Sequence, residues 1–177
     1  DEKEVFDQLL VTTGVPSKAI SAKLPYKIYP VRGEMLSLEA FDNQAPKSIV
    51  RIFSKILGNA YVVPKQGRVL CGSTSEEQGF AMHNTAGGML DILRKCYAAV
   101  PSIYEMKVQE IWAGLRPSTL NRLPILDKEG EKPIFHLNGL YRHGILLGPI
   151  LGKSIALMMT GKSRLPETNA FIIPPKI

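Results

Sequence analysis

A chain of 177 residues, 45% apolar and 21% charged, fits one domain, or one domain with a remnant of another, and needs no staples to bury a core. Its formal charge of +6 comes from basic residues spread along the chain, never gathered into runs or aromatic-interleaved patches. That argues against a nucleic-acid surface and fits a basic pocket for small anions. Two cysteines, Cys71 and Cys96, make no disulfide framework and sit in no metal-ligand spacing, the acidic opening residues do not read as a signal peptide, and no apolar run is long enough to span a bilayer. The expected setting is the cytoplasm.

In chain order, Gln8–Gly14 is a short apolar run ending on threonines and a glycine, which predicts a strand of a parallel sheet buried on both faces. No neighbouring strand follows at once, so this run reads as the tail of a larger domain. Tyr26–Leu38 predicts a long extended segment, with Pro30 and Gly33 marking an edge or a bulge. Residues 39–59 carry few pattern signals. Ala60–Pro64 and Arg68–Thr74, joined by Lys65-Gln66-Gly67, form the best hairpin signal in the chain, with Tyr61 and Val63 sharing a face. Over 84–99 the period becomes helical: Met89, Leu90, Ile92, Leu93, Cys96 and Tyr97 recur on one face, Asn84 or Thr85 can cap the start, Asp91 and Lys95 pair one turn apart, and Pro101 follows the end.

The next strand, Val108–Pro117, alternates. Ile111, Ala113 and Leu115 are expected on a core face; Trp112, Gly114 and Arg116 share the other, where a glycine leaves room between a flat ring and a permanent cation. Pro117 fixes the exit and presents Arg116 at a strand end, where a guanidinium suits bidentate recognition of a carboxylate or closes a structural ion pair. A loop is expected over 127–132 and a strand over 134–137. Asn138–Pro149 is a glycine-punctuated loop running into a helix, with Pro149 suited to the first helical position and Gly161 to the stop. A helix start offers free N–H groups and partial positive charge to an anion or an electron-rich ring edge, and Arg142 adds a cation there.

Several motifs are excluded. Gly148–Ser154 is one residue short of a phosphate-binding P-loop and carries a proline where N–H donors are needed. His83, His136 and His143 have no partner at metal-binding spacing. No Gly-x-Ser-x-Gly elbow and no Gly-x-Gly-x-x-Gly occurs, so neither a hydrolase nucleophile nor a complete dinucleotide-binding domain can be read.

Three blocks taken together resemble one family. They are Val31–Leu36; Tyr61–Pro64 with Gly72–Glu76; and Trp112–Pro117 followed by Tyr141–Leu147. In this order they resemble the FAD-dependent amine and D-amino-acid oxidases, most of all the glycine oxidases of thiamine biosynthesis. The resemblance implies an α+β fold, an antiparallel sheet with flanking helices as in the D-amino-acid oxidase substrate domain, plus a remnant of an α/β FAD-binding domain. It assigns residues 1–25 to the tail of the FAD-binding domain, 26–137 to the substrate-binding domain, and 138–177 to a flavin-contacting loop and carboxy-terminal helix. Arg116 then matches the arginine that binds the substrate carboxylate, Arg142 a second arginine near the substrate, and Tyr61 an active-site tyrosine. Leu140, Tyr141, Arg142, His143, Gly144, Ile145 and Leu146 match the loop that lines the flavin. Two positions depart from the family: Leu140 replaces a usual histidine and His143 a usual asparagine.

The implied chemistry is transfer of a hydride from the substrate to FAD, giving an imine that hydrolyses to a 2-oxo acid while oxygen becomes hydrogen peroxide. No protein nucleophile or catalytic acid–base pair is needed, which fits a sequence offering arginines and a tyrosine. The implied partners are a small amino acid or amine and an upstream FAD-binding portion, with no nucleic acid, no membrane span and room for a homo-oligomer; the isolated chain is expected to show no turnover. The alternatives are a D-amino-acid or sarcosine oxidase, a dehydrogenase with another electron acceptor, and a non-catalytic module that keeps the fold.

Overall fold

The computed structural model describes residues 5–16, 20, 23–41 and 43–171. The chain forms two compact units, one of Arg32–Leu115 and one of Asp1–Val31 with Arg116–Ile177. The division falls within two long strands, β2 (Tyr29–Glu39) and β6 (Val108–Ser118). Residues 26–31 and 116–137, expected with the substrate domain, are thus grouped with the chain's two ends.

The Arg32–Leu115 unit is built on an antiparallel sheet. Between its two long strands come β3 (Val50–Ser54), β4 (Gly58–Lys65) and β5 (Arg68–Gly72), and the sheet order is β3-β4-β5-β2-β6. The β4–β5 hairpin forms as expected: Lys65 pairs with Arg68 across Gln66-Gly67, and Gly67, second in the turn, takes a left-handed φ of +70° at no steric cost. Pro64 is tolerated because pairing with β3 ends at Val62, so no ladder bond is asked of its nitrogen. Strand β2 lies between β5 and β6, but its pairing with β5 covers only Met35–Glu39, so Pro30 and Gly33 precede that ladder.

Helix α1 (Ala86–Ala99) covers one face of this sheet, setting Ile92 and Cys96 against Leu36, Leu38, Val62, Val69 and Cys71. Leu90 and Tyr97, expected on the core stripe, are exposed, because the buried stripe is narrow and centred on Gly88, Ile92 and Cys96. The Asp91–Lys95 pair forms, and Thr85 caps the start by accepting the Gly88 N–H at 3.0 Å. Both cysteines are free and buried.

The helix start is also where Arg32, Glu34, Thr74, Thr85 and Glu76 converge. Glu34, fully buried, accepts the Thr85 N–H and hydroxyl at 2.9 Å each and pairs with Arg32 at 3.2 Å. Arg32, only 4% exposed, also donates to Glu76 and to the His83 carbonyl. Two of the sequence blocks that carry the family resemblance therefore encode a buried ion network that anchors a helix. A Cβ on Gly88 would lie 2.5 Å from a Glu34 carboxylate oxygen. Helix propensity alone would make Gly88→Ala stabilising by about 1 kcal/mol. Because Glu34 is pinned by three partners and cannot yield, overpacking outweighs that gain, and denaturant titration should show a net loss of roughly 1–2 kcal/mol.

The other unit holds a three-stranded sheet, β1 (Leu9–Val11), β8 (Ile134–Asn138) and β7 (Ile125–Lys128) in that order, with β1 parallel and β7 antiparallel to β8. The parallel pairing of Leu9–Val11 is as expected, but the burial is not: Leu9 is 52% exposed, because this short strand lies at a sheet edge. Helix α2 (Gly144–Met159) packs Leu151 and Ile155 onto Leu126 and Phe135. Tyr26 donates its hydroxyl to Asp127, and burial together with that carboxylate pushes the phenol pKa well up.

The expectation that Pro149 opens α2 is overturned. The first helical bond runs from the Leu147 N–H to the His143 carbonyl, so Pro149 stands one turn inside. The carbonyl it leaves without a helical donor belongs to Ile145, which is 99% exposed and open to water. The stop is as expected: Gly161 at φ +76°, with its N–H to Met158 and that of Lys162 to Leu157, closes the helix in a Schellman turn.

Candidate functional site

Strand β6 carries Arg116 near its end, where the residue is half-buried. Along the same strand, an added Cβ on Gly114 would meet nothing within 4 Å, which leaves the expected gap open. Ile111, assigned to a core face, is instead 49% exposed, because β6 is the outer strand of its sheet. Trp112 is tied down through its carbonyl, which accepts the Asn84 side-chain N–H at 2.9 Å.

The glycine-punctuated loop, in the same unit as Arg116, is stapled to the residues that follow it. The Tyr141 N–H donates to the Pro117 carbonyl at 2.9 Å, and the His143 N–H closes a turn onto Leu140 at 2.8 Å. Gly139 has φ +69°, and a Cβ there would lie 2.6 Å from the Thr119 methyl group, so only glycine lets the loop lie this close. Tyr141 itself adopts a left-handed φ of +48°. Two stretches separated by more than twenty residues thus meet at Pro117–Thr119, and Arg116 and the Tyr141–Arg142 pair flank that junction along the chain.

The remaining loop residues divide by environment. Leu140 is half-buried and packs with the α2 cluster, so the departure from histidine anchors the loop by apolar contact. Arg142 is exposed and lies over the Tyr141 ring at 5.2 Å. His143 is the N-cap of α2 but makes no side-chain cap, leaving the N–H groups at the helix start to other acceptors. Gly144 has open space where a Cβ would stand, and Ile145 and Leu146 are bare at the surface. A flat, electron-rich ring edge fits an uncapped helix start flanked by apolar side chains and a glycine without neighbours.

Tyr61 belongs to the other unit. It is half-buried, on the sheet face opposite Ala60 and Val62, and its hydroxyl donates to the Met35 sulfur at 3.5 Å. Its cross-strand neighbour is Gly72, where an added Cβ would be 3.1 Å from the Tyr61 oxygen, so the ring needs that glycine.

One residue escaped the sequence reading. Arg122 lies over the Tyr141 ring at 5.8 Å, with a left-handed φ of +59°. Its turn is fixed by Asn121, whose side-chain oxygen accepts the Leu123 N–H at 3.1 Å. Asn121 was the legible signal, since asparagine side chains close such turns.

Among the described residues, no group of three or more histidine, cysteine, aspartate or glutamate side chains could hold a metal ion, and no helix is long and apolar enough to cross a membrane.

Comparison with known proteins places the chain. A family model described as FAD dependent oxidoreductase matches residues 1–158. The bifunctional protein ThiO/ThiG of Nostoc sp. is 34% identical over 150 residues, covering 84% of this chain and 22% of that protein. A glycine oxidase of Geobacillus kaustophilus is 32% identical over 160 residues, covering 88% of this chain and 41% of that enzyme. The crystal structure of glycine oxidase from Geobacillus kaustophilus superimposes with a TM-score of 0.79 at 30% identity, over 96% of this chain and 46% of that one. The chain therefore spans less than half the length of the relatives it matches.

Proposed function

The chain belongs to the FAD-dependent oxidoreductase family, and from that premise we propose that it forms the substrate-side portion of a flavoenzyme that oxidises glycine or another small amine. The observation that carries the reading is the 2.9 Å bond from the Tyr141 N–H to the Pro117 carbonyl, which holds the glycine loop and its arginine against the segment bearing Arg116. The names of the relatives support it, including a putative thiamine biosynthesis oxidoreductase ThiO at 33% identity.

When bound, FAD supplies the two-electron acceptor. The chain's own residues bind and orient. Arg116 receives the substrate carboxylate in a charge-assisted pair, which fixes the amine and its carbon at one position. The uncapped start of α2 would hold the flavin through its free N–H groups and would stabilise negative charge on it. Arg142 adds positive charge to the same loop. Loss of a hydride from the substrate carbon and a proton from its nitrogen gives an imine; added water then yields glyoxylate and ammonia in the case of glycine. Oxygen, taking two electrons and two protons, becomes hydrogen peroxide.

The test is substrate profiling of the flavin-loaded protein with glycine, sarcosine and D-alanine, following oxygen uptake, peroxide and 2-oxo acid together. Equal amounts of peroxide and glyoxylate from glycine are expected. Flavin reduction with no peroxide would reassign the protein as a dehydrogenase.

A further inference from the structure

Among the described residues, two non-glycine residues have left-handed backbones, Arg122 at φ +59° and Tyr141 at φ +48°. These two meet each other, the Arg122 guanidinium lying 5.8 Å from the centre of the Tyr141 ring. Left-handed conformations cost a non-glycine residue energy and persist where the surroundings over-determine them, most often at ligand clamps and active sites. Both are over-determined here. The Arg122 N–H donates to the Thr119 carbonyl at 3.1 Å, and the Thr119 hydroxyl donates to the Leu123 carbonyl at 2.8 Å. The Tyr141 N–H is held by Pro117.

The outcome of this arrangement is a pair of cations on one ring. Arg142 lies over the same ring at 5.2 Å, both arginines are exposed, and among the described residues neither is in an ion pair. Ring faces attract cations, and two guanidiniums gathered on one ring concentrate positive charge that an anion would neutralise. The ring's backbone is in turn bonded to the residue that follows Arg116.

We propose that Arg122 and Arg142, gathered on the Tyr141 ring, bind a second carboxylate of the substrate, so that the site favours small amines bearing two carboxylates over those bearing one. This rests on the reading of Arg116 as the seat of the first carboxylate. Arg122 is then a specificity-determining residue.

The probes are sarcosine and iminodiacetate, achiral secondary amines that differ by one carboxylate. Steady-state kinetics of the flavin-loaded protein give the ratio of kcat/KM, iminodiacetate over sarcosine, for the wild type and for Arg122→Gly, which keeps the left-handed backbone available. The ratio should fall by about tenfold or more in the variant, as for loss of one charge-assisted contact. In parallel, the NMR shifts of the Tyr141 ring are followed as each amine, and separately pyrophosphate, is added without flavin.

A ratio unchanged by Arg122→Gly would overturn the proposal. So would a Tyr141 response to pyrophosphate at lower concentration than to iminodiacetate, because the pair would then serve the cofactor's phosphates. An Arg122-dependent response to iminodiacetate in a protein that turns over neither amine would uphold the clasp and sink the oxidase reading instead.

Discussion

Replacing Arg116 by alanine is expected to lower kcat/KM for glycine by about 10- to 150-fold, the equivalent of the roughly 1.5–3 kcal/mol carried by one charge-assisted contact. The argument is one of position. Arg116 lies near the end of β6, directly before Pro117, and it is half-buried. A half-buried side chain has less freedom to lose on binding than an exposed one, so more of the contact energy is available to the substrate. Arg116→Lys should recover only part of the loss, because an ammonium offers no planar fork to a carboxylate. Steady-state kinetics of the three proteins with glycine measure this. If the alanine variant matched the wild type, Arg116 would be a structural ion-pair partner and the substrate would bind elsewhere.

Removing the Glu34 carboxylate should produce the largest change in stability. Glu34 has no solvent exposure, and it accepts two hydrogen bonds from Thr85 and pairs with the nearly buried Arg32. Glu34→Ala strands the Thr85 N–H and takes one of two carboxylates from the nearly buried Arg32, so a loss of about 3–5 kcal/mol is expected, the usual cost of breaking a buried pair from one side. Glu34→Gln, which still accepts from Thr85 but carries no charge, should fall between that variant and the wild type. Urea titration at constant m-value reads the difference. A loss below about 1 kcal/mol would mean that the network is replaceable and that α1 is held by its apolar stripe.

These two residues also mark what could be read in advance. Arg116 stood out in the sequence because alternation, a strand glycine and a following proline all acted on neighbouring residues. Glu34 did not, although it lies within one of the blocks that carry the family resemblance. Its partners come from residues 32, 74 and 85, and no local pattern announces such a convergence. The hairpin at Gln66-Gly67 and helix α1 were legible for the same reason as Arg116, since their signals are local.

Where the reading went astray, a longer-range effect competed. Strand β3 was missed because exposed Phe53 disturbs the alternation of Val50, Arg51 and Ile52. The apolar run at Leu9–Val11 suggested burial that an edge position does not provide. Pro149 looked like a helix opener because that is its commonest place, but the loop before it is pinned at Pro117 and the helix begins a turn earlier. Arg122 was legible only through Asn121 beside it, which signals a turn; that the turn brings a left-handed arginine onto the Tyr141 ring depends on the tertiary fold.

The central claim is that this chain supplies the amine-binding side of a flavin oxidase, and anaerobic titration of the flavin-loaded protein with glycine tests it most directly. Without oxygen the electrons have nowhere to go, so each turnover is recorded as loss of the visible flavin band. The account predicts bleaching by glycine in proportion to the flavin present, much weaker bleaching in Arg116→Ala, and recovery of the band with release of peroxide when air is admitted. A flavin band that stays unchanged with glycine and with every other small amino acid and amine tried would contradict it.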